Sequence, residues 1–111
     1  MSPDPPNPGG VPETGRAPLW TLLGFLDRLD QWVERESPPD ELRLLVTAWI
    51  MTRFDDPYQG VRREGKFPNL WFGPVPDGVD AWGRLVACAY WIDEVNHTVR
   101  CDSFGSFPPP L

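Results

Sequence analysis

Up to Phe54 the apolar residues recur at helical spacing. From Pro68 onward they come in short runs rich in β-branched and aromatic residues, broken by Gly, Pro and Asp. The change of period falls inside residues 53–72, RFDDPYQGVRREGKFPNLWF, and it constrains the fold more than any other feature. A helical half has to join a strand half there, which predicts an α+β domain. The same stretch holds the one local excess of positive charge, Arg62, Arg63 and Lys66, with Gly60 and Gly65 free to take positive φ.

In the helical half, Leu19, Leu22, Leu26, Leu29 and Val33 keep a stripe that Phe25 and Trp32 widen, with Asp27, Asp30, Gln31, Glu34 and Arg35 opposite. This predicts an amphipathic helix over residues 18–36, with Pro18 in its first turn and Gly24 weakening its middle. Ser37-Pro38-Pro39-Asp40 reads as a second helix start, with Ser37 as N-cap and Asp40 and Glu41 at the positive end of the dipole. Leu42, Leu45, Val46, Trp49, Ile50 and Phe54 continue that helix, and Pro57 ends it. A gap this short predicts an antiparallel αα-hairpin.

In the strand half, residues 68–72 predict a first strand that Pro74 and Pro76 cut short. Residues 82–92 are apolar almost throughout, as in a central strand covered on both faces. Residues 93–96 form a turn and residues 97–102 the return strand, with Val99 and Cys101 inward and Arg100 and Asp102 outward. Two registers are open: a four-residue loop closed by Ile92 and His97 sets Cys101 opposite Cys88, and a three-residue loop sets Val99 opposite Trp91. Phe104 and Phe107 pin the end of the chain. The expected architecture is an N-terminal αα-hairpin packed on a small antiparallel β-meander of three to four strands.

Residues 1–16 are expected to be a disordered tail and residues 17–107 a single domain. Up to Gly15 the tail holds five prolines and three glycines against one sizeable apolar side chain after the initiator, Val11. Residues 108–111, Pro-Pro-Pro-Leu, favour polyproline II. The core supply is good, with six Trp, six Phe and two Tyr. A net charge of −6 argues against coating nucleic acid and suits a basic protein partner. The start lacks the features of a targeting signal, and the longest apolar run, residues 44–51, is too short to span a bilayer. A cytoplasmic protein with reduced thiols is expected. No cofactor is implied, and two cysteines are too few for a zinc site.

Each candidate site has two readings. Arg62, Arg63 and Lys66 can bind a phosphate or an RNA backbone, or they are solvated and offset Asp55, Asp56 and Glu64. His97, the one histidine, can act as acid or base, or it is a turn residue. Cys88 and Cys101 form a redox pair or sit as reduced core thiols. Trp71, Phe72, Tyr90 and Trp91 form a platform for stacking bases or belong to the core. Asp55 and Asp56 have no third ligand placed by spacing and read as a helix-end loop.

The step Asp56-Pro57, the loop Gly60-Val61-Arg62-Arg63-Glu64-Gly65-Lys66, and the hairpin of Tyr90-Trp91-Ile92-Asp93-Glu94 with Thr98-Val99-Arg100-Cys101 resemble the RelE/ParE superfamily of bacterial toxins. Members of that family place an αα-hairpin before a curved antiparallel sheet, usually after an opening strand, for which residues 1–16 are unsuited. The resemblance implies a toxin-type module of a toxin–antitoxin system, acting on ribosome-bound mRNA and held by an antitoxin-like protein. It carries Arg62, Arg63, Lys66 and Arg84 over as RNA-facing residues. It carries no complete acid/base set, because no titratable side chain follows Asp102; His97 and Arg84 are the catalytic candidates. The competing expectation is a non-catalytic acidic module that binds a protein.

Overall fold

The computed structural model describes residues 18–109; the expected tail over 1–16 and the last two residues lie outside them. The order of elements is β1 (Thr21–Leu23), α1 (Phe25–Glu36), α2 (Asp40–Thr52), β2 (Arg62–Arg63), β3 (Leu70–Val79), β4 (Leu85–Asp93) and β5 (Thr98–Phe107). The fold is α+β, with two helices on one face of a sheet ordered β1-β5-β4-β3-β2. The sheet has five strands rather than three or four. It is mixed rather than a pure meander, because β1 runs parallel to β5.

The first correction concerns residues 18–24, which are not helical. Gly24 sits at φ 75° and starts α1 only at Phe25. Upstream, the backbone is satisfied elsewhere: Trp20 N–H donates to Phe54 O, and Thr21 N–H donates to His97 O. The buried stripe of α1 is Phe25, Leu29 and Trp32, while Leu19 and Leu26 are exposed. The second correction concerns Ser37. It caps the C-terminus of α1 at φ 46°, giving its N–H to Val33 O, and Pro39 stands at the N-cap of α2.

Strand β3 is not cut short at Phe72. It runs on through Gly73, Pro74, Val75 and Pro76. Among the described residues no strand pairs with its outer side beyond Phe72, since β2 reaches only Phe72 and Trp71, so a missing proline N–H costs no ladder bond there. The ladder to β4 shifts register between Pro74 and Val79. Trp82, expected in β4, lies in the preceding turn and is 76% exposed.

Neither expected register of the last hairpin holds. Asp93 pairs with Thr98 and Ile92 with Val99. Turn chemistry sets this: the Asp93 carboxylate accepts from the Asn96 backbone and side chain, and His97 takes φ 56°. Cys101 then faces Tyr90, Ser103 faces Ala89, and Asp102 is the extra residue of a bulge. The bulge brings the thiols of Cys88 and Cys101 to 3.8 Å from each other although the two residues are not paired.

The core lies between the helices and the inner face of the sheet, where Trp32, Val46, Ile50, Val75, Val86 and Val99 are almost fully buried. Arg53 and Tyr90 are buried with them. The Tyr90 hydroxyl donates to Pro57 O, and Arg53 Nη1 donates to the same hydroxyl at 3.0 Å and to Gln59 O at 2.7 Å. No helix among the described residues is long and apolar enough to cross a membrane.

Candidate binding face

With both helices on one side, alternation along the strands leaves the other side of the sheet uncovered among the described residues. On β3 it presents Leu70, Phe72 and Pro74; on β4, Leu85, Ala87, Ala89 and Trp91; on β5, Arg100, Ser103, Gly105 and Phe107. Strand β4 is therefore packed by helices on one face only, contrary to expectation. Leu70, Phe72, Leu85 and Trp91 are half-buried, and Phe107 is exposed.

Two arginines lie against aromatic rings on this face. Arg62, opposite Phe72, holds its guanidinium 4.3 Å from that ring. Arg100, opposite Trp91, lies 5.9 Å from the indole. Stacking of this kind holds a guanidinium in place while its edge stays free to donate. Trp91 is further fixed by Phe67 at its edge and by its Nε1–H, which donates to Asp102 Oδ1. A hollow of about 160 Å³ lies among Leu70, Phe72, Ala89 and Phe107, with Glu64 at its rim. A groove of about 630 Å³ lies beyond Trp91, between Asn69, Glu94 and Arg100.

The expected site residues separate. Arg62 and Arg63 form an edge strand rather than a loop. Only Arg62 is on the open face; Arg63, opposite Trp71, is on the other side. Lys66 is exposed in the turn between β2 and β3. Arg84 is far along the sheet, 2.7 Å from Asp80 and 3.5 Å from Glu36, with Trp82 beneath it. The aromatic quartet divides by alternation: Phe72 and Trp91 face outward, while Trp71 packs against the core and Tyr90 is within it. Arg100 and Phe107 enter the face without having been singled out as site residues. The signal for Arg100 was the outward phase of β5; Phe107 faces outward only because the bulge at Asp102 reverses that phase.

His97 is engaged within the fold. Its ring stacks on Trp20 with centroids 3.8 Å apart, and its Nε2 bonds Pro18 O at 3.0 Å. Cys88 and Cys101 are free thiols in the core. Burial, then the neighbouring Cys101 thiol, pushes the Cys88 thiol well above its ordinary value, which makes it a poor nucleophile. Among the described residues no group of three His, Cys, Asp or Glu could hold a metal ion.

The two tyrosines are both perturbed. Burial, followed by the hydrogen bond to Glu94 and the charges of Glu94 and Asp56, pushes Tyr58 up to about 12. Burial raises Tyr90 to about 12 against the opposing Arg53 bond and charge. Both folded values lie above the ordinary 10, so the fold holds these protons more tightly than the unfolded chain does. The stability this contributes is complete below pH 10 and is lost as pH climbs through 12. A tyrosinate absorbance titration of the native protein is expected to stay flat through pH 10, and denaturant midpoints are expected to fall above it. A tyrosine that ionises at its ordinary value would contradict this geometry.

The chain matches no protein-family model, no curated protein and no solved structure.

Proposed function

We propose that the chain is a non-catalytic protein-interaction module and that the open face of the sheet seats the partner. The observation that carries this reading is the contiguous apolar surface of Leu70, Phe72, Trp91 and Phe107, left uncovered by the described residues while the helices cover the other side of the same sheet. Apolar patches of this kind mark interaction sites, and aromatic rings with stacked arginines are the side chains that dominate binding energy. The net charge of −6 favours a basic partner. The side chains offered by sequence for acid or base work are engaged elsewhere, His97 against Trp20 and Arg84 with Asp80 and Glu36.

A second reading is a RelE/ParE-like toxin module, with an antitoxin-like partner and ribosome-bound mRNA as target. What favours it is the strand ahead of the helical pair, which that family has, and the Arg62–Phe72 and Arg100–Trp91 stacks, which suit a nucleic-acid backbone and bases.

One pair of variants separates the readings. The tagged full chain and its Phe72→Ala/Trp91→Ala form are expressed in the native host. The first reading expects a protein that survives nuclease treatment, is held by the unaltered chain and is lost from the double variant. Identical protein recovery by both forms contradicts it. Growth arrest on induction, relieved by Arg62→Glu/Arg100→Glu, selects the second.

A further inference from the structure

At the end of the molecule away from His97, a cavity of about 320 Å³ opens between the α1–α2 junction and the turn from β3 to β4. Its walls include Leu42, Pro38, Trp82 and the charged trio Glu36, Asp80 and Arg84. Two more of its lining residues, Trp32 and Ser106, carry the only buried side-chain polar atoms among the described residues that lack a hydrogen-bond partner, Trp32 Nε1 and Ser106 Oγ. Trp32 is 1% exposed. A buried N–H without an acceptor is a cost that native folds rarely leave standing. Here the two residues that carry such atoms line the same hollow.

We propose that this cavity binds a small neutral amide or lactam about the size of a nucleobase. The chemistry follows from the wall. An indole N–H only donates, and the Ser106 hydroxyl beside the same cavity can donate too, so the ligand must bring an acceptor oxygen. One guanidinium stands against two carboxylates, and Arg84 is already paired to both. A carboxylate ligand would meet a net negative wall with its only cation engaged, so the oxygen belongs to a neutral carbonyl. The Glu36 carboxylate, with 19% of its side chain exposed, can accept from an adjacent ligand N–H. An amide or lactam edge supplies that C=O and N–H side by side. Pro38 and Leu42 give a flat apolar wall for its body.

Each orphan atom has under 1 Å² exposed, so a ligand must displace part of the wall to reach it. Trp82 is the large side chain of the wall that stands free of the core: it is 76% exposed, with the Arg84 guanidinium 5.3 Å from its ring. The backbone beneath it stays fixed, because Asp80 Oδ1 accepts from both Trp82 N–H and Arg84 N–H. Trp82 can therefore swing out and close over a flat ring without unfolding the turn.

The test uses the full chain, ¹⁵N-labelled, titrated with uracil and nicotinamide as neutral probes and with benzoate as an anion of similar size. The expected result is a saturable shift of the Trp32 indole N–H with a neutral probe and none with benzoate. Ser106→Ala removes a hydroxyl that bonds nothing in the free protein, so the fold should not change, and it should weaken binding about tenfold. Trp82→Ala should weaken it as well. The proposal is overturned if neither neutral probe gives saturable movement, if benzoate binds equally well, or if Ser106→Ala binds like the unaltered chain.

Discussion

Arg53→Met is expected to destabilise the fold by about 3 kcal/mol, read as a fall in denaturant midpoint at unchanged slope. Arg53 is 2% exposed and holds three segments together. Its Nε and Nη2 donate to Thr52 Oγ1 at the end of α2, and its Nη1 donates to Gln59 O in the following loop and to Tyr90 on β4. The guanidinium also lies 4.4 Å from the Trp49 ring. Methionine fills similar space but takes the donor from the part-buried Gln59 carbonyl and from the buried Tyr90 hydroxyl, and polar groups left unpaired away from water are expensive. The positive charge belongs to the C-cap residue of α2, at the negative end of the helix dipole, which favours it there. Tyr90→Phe is the graded comparison, expected to cost about 2 kcal/mol: Arg53 keeps its other partners, but the buried Pro57 carbonyl loses its donor. An Arg53→Met protein as stable as the unaltered one would mean the loop is held by something else.

Gly73→Ala is the second large effect, expected to cost about 2–3 kcal/mol. A Cβ at Gly73 would lie 2.7 Å from Gly60 O and 3.1 Å from Val61 Cα. Both are backbone atoms, so no rotamer relieves the clash. Relief would require the strand that carries Arg62 to move away from β3. Loss of stability should therefore come with faster amide exchange at Arg62 and Arg63. Gly65→Ala is the control: nothing lies within 4 Å of the added atom, and the change should stay within about 0.5 kcal/mol. Equal effects at the two glycines would contradict the packing described.

The sequence carried the change of period, the interiors of both helices and the last hairpin, because each is a local pattern. It did not carry β1. Three residues at a sheet edge have too little pattern to register, and Leu19, Leu22 and Leu26 happen to fall at helical spacing. Gly24 was the available signal, and it was read as a soft spot in a helix rather than as its start. The hairpin register was missed because Asp93, Asn96 and the left-handed His97 chose the turn, and the bulge at Asp102 then altered it again. The open face was missed for a different reason. An unbroken apolar run in β4 looks the same whether its second face is covered or left bare, so sequence alone assigned it to the core. Arg53 had a legible signal: it falls on the buried stripe of α2, continuing Leu42, Val46 and Trp49.

The central claim is that the bare side of the sheet is where this protein meets its partner. The most direct measurement is a covalent side-chain footprint of the full chain, alone and with the captured partner. The account predicts protection at Phe72, Trp91 and Phe107, with Leu26 and Leu44 on the outer sides of the helices unchanged. Protection of Leu26 and Leu44 with the sheet face unchanged would contradict it.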